Sequence, residues 1–132
     1  MESIQNPELQ LAFDFVQSTS RNLFLTGKAG TGKTTFLHNL KKSSPKRMIV
    51  VAPTGVAAIN AGGVTIHSFF QLPFHPHIPV QYIMNGRDPV PVKPTESSSF
   101  KLSRDKVNIV KSLDLLVIDE ISMVRADLLD AV

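Results

Sequence analysis

No cysteine occurs among the 132 residues. That excludes a disulfide framework and any thiolate metal site, and it suits a reducing compartment. The opening residues, Met1-Glu2-Ser3-Ile4-Gln5-Asn6-Pro7, hold neither a basic nor an apolar segment, so they do not read as a signal peptide. No apolar run approaches the roughly 18 residues that a bilayer-spanning helix needs. The expected setting is cytoplasmic, with no membrane partner. A further absence is local. Between Phe15 and Arg87 there is no Asp or Glu, whereas Arg21, Lys28, Lys33, Lys41, Lys42, Lys46, Arg47 and Arg87 all lie there. Such a segment suits polyanions, either nucleotide phosphates or a nucleic-acid backbone. Solvated surface lysines account equally well for Lys41, Lys42, Lys46 and Arg47.

What is present fits one modest globular domain: 42% hydrophobic residues, 19% charged and a net charge of +3. Asn6 is a good N-cap, Pro7 suits the first helical position, and Glu8 complements the helix dipole. Leu9, Ala12, Phe13 and Val16 then share one helical face. Residues 22–26 (Asn-Leu-Phe-Leu-Thr) read as a short buried strand running into a glycine-rich loop. A helix is predicted from within Gly32-Lys33-Thr34 to about Lys42, with Phe36, Leu37 and Leu40 inward. Residues 48–52 read as a second buried strand, 55–60 as a short helix stopped by Gly62-Gly63, and 64–70 as extended or turn-like. Six of the nine prolines fall within residues 71–104. That stretch reads as a long irregular connection. A short helix is predicted over 106–112, a third buried strand over 115–118, and a helix over 124–132. No stop signal follows this last helix, so the chain reads as part of a longer protein. Strands alternating with helices predict an α/β fold with a parallel sheet flanked by helices.

Gly27-x-x-x-x-Gly32-Lys33-Thr34 matches the P-loop pattern. Its glycines let successive backbone N–H groups turn inward on a phosphate, and the following helix aims its positive end at the same place. The expected nucleotide contacts are Gly27, Lys28, Ala29, Gly30, Thr31, Gly32, Lys33, Thr34 and Thr35. Lys33 reaches the outer phosphates and the Thr34 hydroxyl ligates Mg²⁺. Residues 115–118 then deliver Asp119 and Glu120 at a strand end. Asp119 is the expected second Mg²⁺ holder, and Glu120 the base that orients and deprotonates the attacking water. ATP and Mg²⁺ are thus the expected cofactors. Arg104 and Arg125 lie in no recognisable arginine-finger context. Ala52-Pro53-Thr54-Gly55-Val56-Ala57-Ala58 leaves the second strand with a hydroxyl and helix-start N–H groups suited to phosphate, although an ordinary strand-to-helix turn has the same composition. Thr65-Ile66-His67-Ser68-Phe69-Phe70 gathers hydroxyls, an imidazole and two aromatics, which suits single-stranded nucleic acid. On composition alone, core packing accounts for the two phenylalanines better. His75-Pro76-His77 offers two histidines with no other ligand nearby, too few for a metal site.

Taken together, residues 24–34, 52–58, 63–69 and 116–123 resemble the petite-integration-frequency DNA helicases of superfamily 1B, relatives of RecD. The likeness spans nearly the whole chain except 71–104, and four motifs in family order make it specific. The resemblance implies the N-terminal part of a first RecA-like domain, a P-loop NTPase fold in three layers. It implies an ATP-dependent 5′-to-3′ DNA helicase acting in repair, recombination and genome maintenance, with single-stranded DNA as partner. By the same analogy Gln10 reads the adenine edge, Thr54 and Gly55 supply the first strand contacts, His67 and Ser68 the next, and Phe69 lies near the DNA path. This shifts the weight at residues 65–69 from core packing to DNA contact. The family's later motifs, its second RecA-like domain and its arginine finger are expected partners absent from this sequence, so the chain by itself is expected neither to unwind DNA nor to hydrolyse ATP well. A stand-alone nucleotide-binding switch, or another RecA- or AAA-type ATPase, is the alternative.

Overall fold

The computed structural model describes residues 6–72, 81–85, 88–92 and 102–132. The chain divides into two compact units, 1–49 with 113–117 and 50–112 with 118–132.

In the first unit α1 (Pro7–Ser18) begins as its sequence dictates: the Asn6 side chain accepts from the N–H groups of Glu8 and Leu9, and Pro7 stands where no donor is needed. α2 (Lys33–Ser43) buries Phe36, Leu37 and Leu40. Ala12, Phe36 and Leu40 form the core, with Leu9, Phe13, Val16, Leu25, Met48 and Leu115 packed around it. Each large side chain buried in this way contributes about 1.5–3 kcal/mol. The loop after α2 ties back to α1. The Lys46 ammonium donates to the carbonyls of Val16 and Thr19, satisfying groups that the helix end leaves open.

β1 (Met48–Ala52) becomes fully buried at Val50, Val51 and Ala52. In the second unit it pairs in parallel with β2 (Val64–Thr65), matching Val51 to Val64 and Ala52 to Thr65. Between them α3 (Gly55–Ala61) buries only the small residues Ala58 and Ala61. It closes at Gly62, whose left-handed φ of 65° lets the N–H groups of Gly62 and Gly63 reach the last carbonyls. Gly63 then passes against β1 so closely that a Cβ there would lie 2.2 Å from the Val50 carbonyl oxygen.

β5 (Leu115–Ile118) completes a three-stranded sheet in the order β2-β1-β5. Here β3 and β4 denote two intervening strands, residues 81–85 and 88–92. Leu115 donates to the Arg47 carbonyl and Asp119 to that of Val51, so β5 and β1 advance in the same direction. A parallel sheet with helical connections is the predicted fold class. No helix among the described residues is long and apolar enough to cross a membrane.

Three local expectations change. Residues 22–26 form no strand: they join no ladder, and Leu23 and Phe24 are 43% and 73% exposed. Residues 64–70 are extended only at 64–65. Thr65 accepts from the Ser68 N–H and caps α4 (Ile66–Phe70), which buries Ile66, Phe69 and Phe70. That spacing of i, i+3, i+4 is the helical signal that the short segment concealed. Within 71–104, β3 and β4 form an antiparallel hairpin with Gln81 opposite Val92 and Asn85 opposite Asp88. Pro89 and Pro91 lie two residues apart on β4, so their missing donors fall on one side and the ladder keeps Asp88, Val90 and Val92. α5 (Arg104–Ser112) precedes β5. A 3₁₀ turn (Ile121–Met123) and α6 (Ala126–Ala131) follow it, and α6 lies within the helix predicted over 124–132. His75 and His77 lie outside the described residues.

Candidate phosphate loop and associated motifs

The loop from Gly27 to Thr34 closes on itself through Lys33. The Lys33 ammonium donates to the carbonyls of Gly27 at 2.6 Å and Lys28 at 2.8 Å, with Thr31 Oγ1 at 3.5 Å. Thr31 Oγ1 in turn donates to the Lys28 carbonyl at 2.8 Å. Gly30 and Gly32 take left-handed φ values of 77° and 92°, conformations costly for residues with a Cβ. A Cβ on Gly27 would sit 2.9 Å from Thr31 Oγ1 and 3.9 Å from Lys33 Nζ, inside the concave side of the turn. At the start of α2, Gly32 has no side chain to cap the free N–H groups, and no residue of the first turn is acidic. Free helix-start donors, a glycine-lined cradle and a lysine folded over it are the features that phosphate oxygens require. Nucleotide phosphates therefore fit here. Lys28, Ala29, Thr34 and Thr35 lie along the same loop and helix start and are exposed.

Gln10 follows a residue that packs on this loop. Leu9 Cδ1 lies 3.4 Å from where a Cβ of Gly32 would stand, so the first turn of α1 packs on the glycine that opens α2. Gln10 is itself exposed, and its amide donates to Asp14 at 3.0 Å.

Asp119 and Glu120 stand in the second unit. The Asp119 N–H continues the β1 ladder at 2.8 Å, and the chain then turns sharply. Glu120 adopts φ 53°, ψ 42°, and its carbonyl accepts from the Met123 N–H at 3.0 Å. A left-handed glutamate is uncommon, and nothing in the sequence announces it. Neither carboxylate joins an ion pair among the described residues. Arg125 is held by Asp127 through two hydrogen bonds, at 2.8 and 2.5 Å, which engages it locally.

The two motifs assigned to strand contact adjoin one another within the second unit. Thr54 caps α3 by accepting from Ala57 at 3.2 Å, and Thr65 caps α4 by accepting from Ser68 at 3.2 Å. Ala52 and Thr65 are paired neighbours on parallel strands, so both turns leave the same end of the sheet. Gly55 and Ser68 are exposed there, and His67 is partly exposed. Phe69 differs. It is 7% exposed, meets Phe70 edge-to-face at 4.9 Å, and carries the Lys106 ammonium 4.5 Å above its ring. In this geometry Phe69 supports the turn from below and does not offer a face to a base. Sequence reading missed Lys106, which lies far from Phe69 in the chain.

The glycine cradle, its lysine and the parallel sheet define a RecA-like P-loop fold. The family profile described as PIF1-like helicase matches residues 5–132. The chain is 35% identical over 127 residues to the ATP-dependent DNA helicase PIF1 of Emericella nidulans, covering 87% of this chain and 14% of that protein. It is 46% identical to a Bacteroides Pif1 solved bound to single-stranded DNA, with a TM-score of 0.74 over 97% of this chain and 26% of the other. A Bacteroides Pif1 solved in complex with ADP-AlF4 gives 46% identity and a TM-score of 0.75, again over 97% and 26%. The chain belongs to the PIF1-like helicase family. It spans about a quarter or less of the length of these relatives.

Proposed function

We propose that this chain is the ATP-binding part of an ATP-dependent DNA helicase that moves 5′ to 3′ on single-stranded DNA in repair, recombination and genome maintenance. The observation that carries the reading is the Lys33 ammonium held over the glycine loop by two carbonyls, 2.6 and 2.8 Å away. Those carbonyl dipoles keep the cation poised, and a phosphate, bearing full charge, outcompetes them for it. Family membership and the Bacteroides relatives solved with ADP-AlF4 and with single-stranded DNA support the two ligands.

Each residue then has a task. The loop N–H groups of residues 27–35 bind phosphate oxygens, and Lys33 balances their charge. Gln10 reads the adenine edge. Thr34 and Asp119 each carry an oxygen suited to Mg²⁺, which when bound neutralises the phosphates. Glu120 accepts the proton of the attacking water. Thr54, Gly55, His67 and Ser68 hold the phosphates of the strand, with Phe69 and Lys106 beneath them. By family analogy, unwinding also requires a second RecA-like domain that closes on the nucleotide.

The test is binding of a labelled ATP analogue and of single-stranded DNA, separately and together, to the 132-residue chain. Wild type should bind the analogue in Mg²⁺. Lys33→Ala should not, while keeping its DNA affinity. Equal analogue binding by the two proteins would overturn the assignment.

A further inference from the structure

The first turn of α1 carries an arrangement that bears on which nucleotide the loop accepts. Gln10 is a primary amide with two different edges, a carbonyl oxygen that accepts and an NH₂ group that donates twice. An exposed glutamine ordinarily presents either edge by rotating its amide. Here Nε2 donates to Asp14 Oδ1 at 3.0 Å, one helical turn further along. A carboxylate only accepts, so this contact is possible with the NH₂ group facing Asp14 and not with Oε1 facing it. Asp14 therefore selects one amide orientation. One N–H is spent on the carboxylate. What remains to face a ligand is Oε1 beside the second N–H.

That remaining edge has a definite complement. Adenine presents an amino donor at N6 beside an acceptor at N7, and guanine presents two acceptors, O6 and N7. An acceptor beside a donor matches adenine at both atoms and opposes guanine at O6. Leu9, the residue before Gln10, packs on Gly32 of the phosphate loop, so Gln10 belongs to the turn of α1 that adjoins that loop.

We infer that Asp14 is a specificity-determining residue: it fixes the Gln10 amide so that the site favours adenine over guanine nucleotides. The inference rests on the ATP-site reading above and deepens it. Asp14 touches no nucleotide atom in this scheme and acts through Gln10, so it is a positioning residue.

The measurement is the ratio of dissociation constants for non-hydrolysable GTP and ATP analogues with Mg²⁺, on the 132-residue chain. Inorganic tripolyphosphate serves as a base-free competitor. Wild type should prefer the adenine analogue, and Gln10→Ala should remove that preference. Asp14→Asn keeps the size but lets the partner both donate and accept. It should lower the ratio by between about two-fold, the worth of an exposed helical pair, and about ten-fold, that of a hydrogen bond to a charged group. Asp14→Glu should restore part of it. Tripolyphosphate affinity should not move in any of these variants, which a general loss of structure would not allow. An unchanged ratio in Asp14→Asn alongside a lost one in Gln10→Ala overturns the role of Asp14 and leaves the ATP site standing. Equal affinity of wild type for the two analogues overturns the inference as well. Failure of wild type to bind either analogue or tripolyphosphate overturns the ATP-site reading itself.

Discussion

Gly63→Ala tests how the second unit is held together. An added Cβ would lie 2.2 Å from the Val50 carbonyl oxygen, 2.8 Å from its carbon and 3.0 Å from its Cβ. The first distance is about 1 Å inside an ordinary close C···O approach. The obstacle is backbone, and it cannot retreat easily, since Val50 is 2% exposed and Val51 and Ala52 are fully buried. Overpacking a core with an extra methyl costs about 1–3 kcal/mol where side chains can adjust. A clash with a buried strand belongs at or above the upper end, so the expected loss is about 3 kcal/mol. A chain of this size has a total stability of about 7–20 kcal/mol. The substitution therefore removes a substantial share. Urea unfolding followed by far-ultraviolet circular dichroism should show the midpoint falling at constant slope. Gly55→Ala is the comparison, because a Cβ there meets nothing within 4 Å and Ala favours the first turn of α3. If Gly63→Ala unfolded within about 0.5 kcal/mol of wild type, a shift typical of unconstrained surface sites, the close approach of β2 to β1 would be wrong.

Three further outcomes follow. Lys33→Ala should weaken Mg·ATP analogue binding by about 100-fold or more, a loss of about 3 kcal/mol appropriate to a charge-assisted contact, read by fluorescence anisotropy. Glu120→Gly should raise stability by about 1 kcal/mol, because glycine occupies a left-handed φ without the Cβ penalty, while abolishing hydrolysis in the full-length protein. A lower urea midpoint would contradict the first half. Asp114 should give an acid-side effect. Hydrogen bonds from the Arg47 side chain and backbone hold its carboxyl below the usual carboxylate value. Its stabilisation is present above the unfolded-state value and is lost as pH falls through the lower folded one. Both partners are exposed, so the effect is small and screened by salt. Asp114→Asn should remove that part of the acid-side slope, seen as urea midpoints between pH 5 and pH 2.

How much of this was legible depended on how local the physics is. Asn6-Pro7-Glu8 states its own helix start because a cap needs only adjacent residues. The phosphate loop is legible for the same reason: three glycines, a lysine and a helix start fix its chemistry within eight positions. The left-handed Glu120 is not legible, because the turn that holds it is set by the ladder from Asp119 to Val51. Lys106 above Phe69 likewise joins residues distant in sequence. Phe69 shows why composition and family analogy pull apart. Its neighbours read as strand contacts, yet its own ring is buried.

Residues 22–26 carry the same lesson at the level of secondary structure. Leu23, Phe24 and Leu25 have strand composition, and an apolar run leading into a phosphate loop predicts a buried strand. Strand formation, however, is satisfied by a neighbour's ladder and not by composition, since each backbone N–H and C=O needs a partner. Residues 22–26 join no ladder, and Leu25, the residue packed against the Ala12–Phe36–Leu40 core, is the more buried of the three. Phe24, at 73% exposure, places a large apolar ring in water at a cost that a covering element would relieve. The segment thus has the composition of a strand without the partner that makes one. The phosphate loop that follows is closed from within, by Lys33 and Thr31 donating to the carbonyls of Gly27 and Lys28.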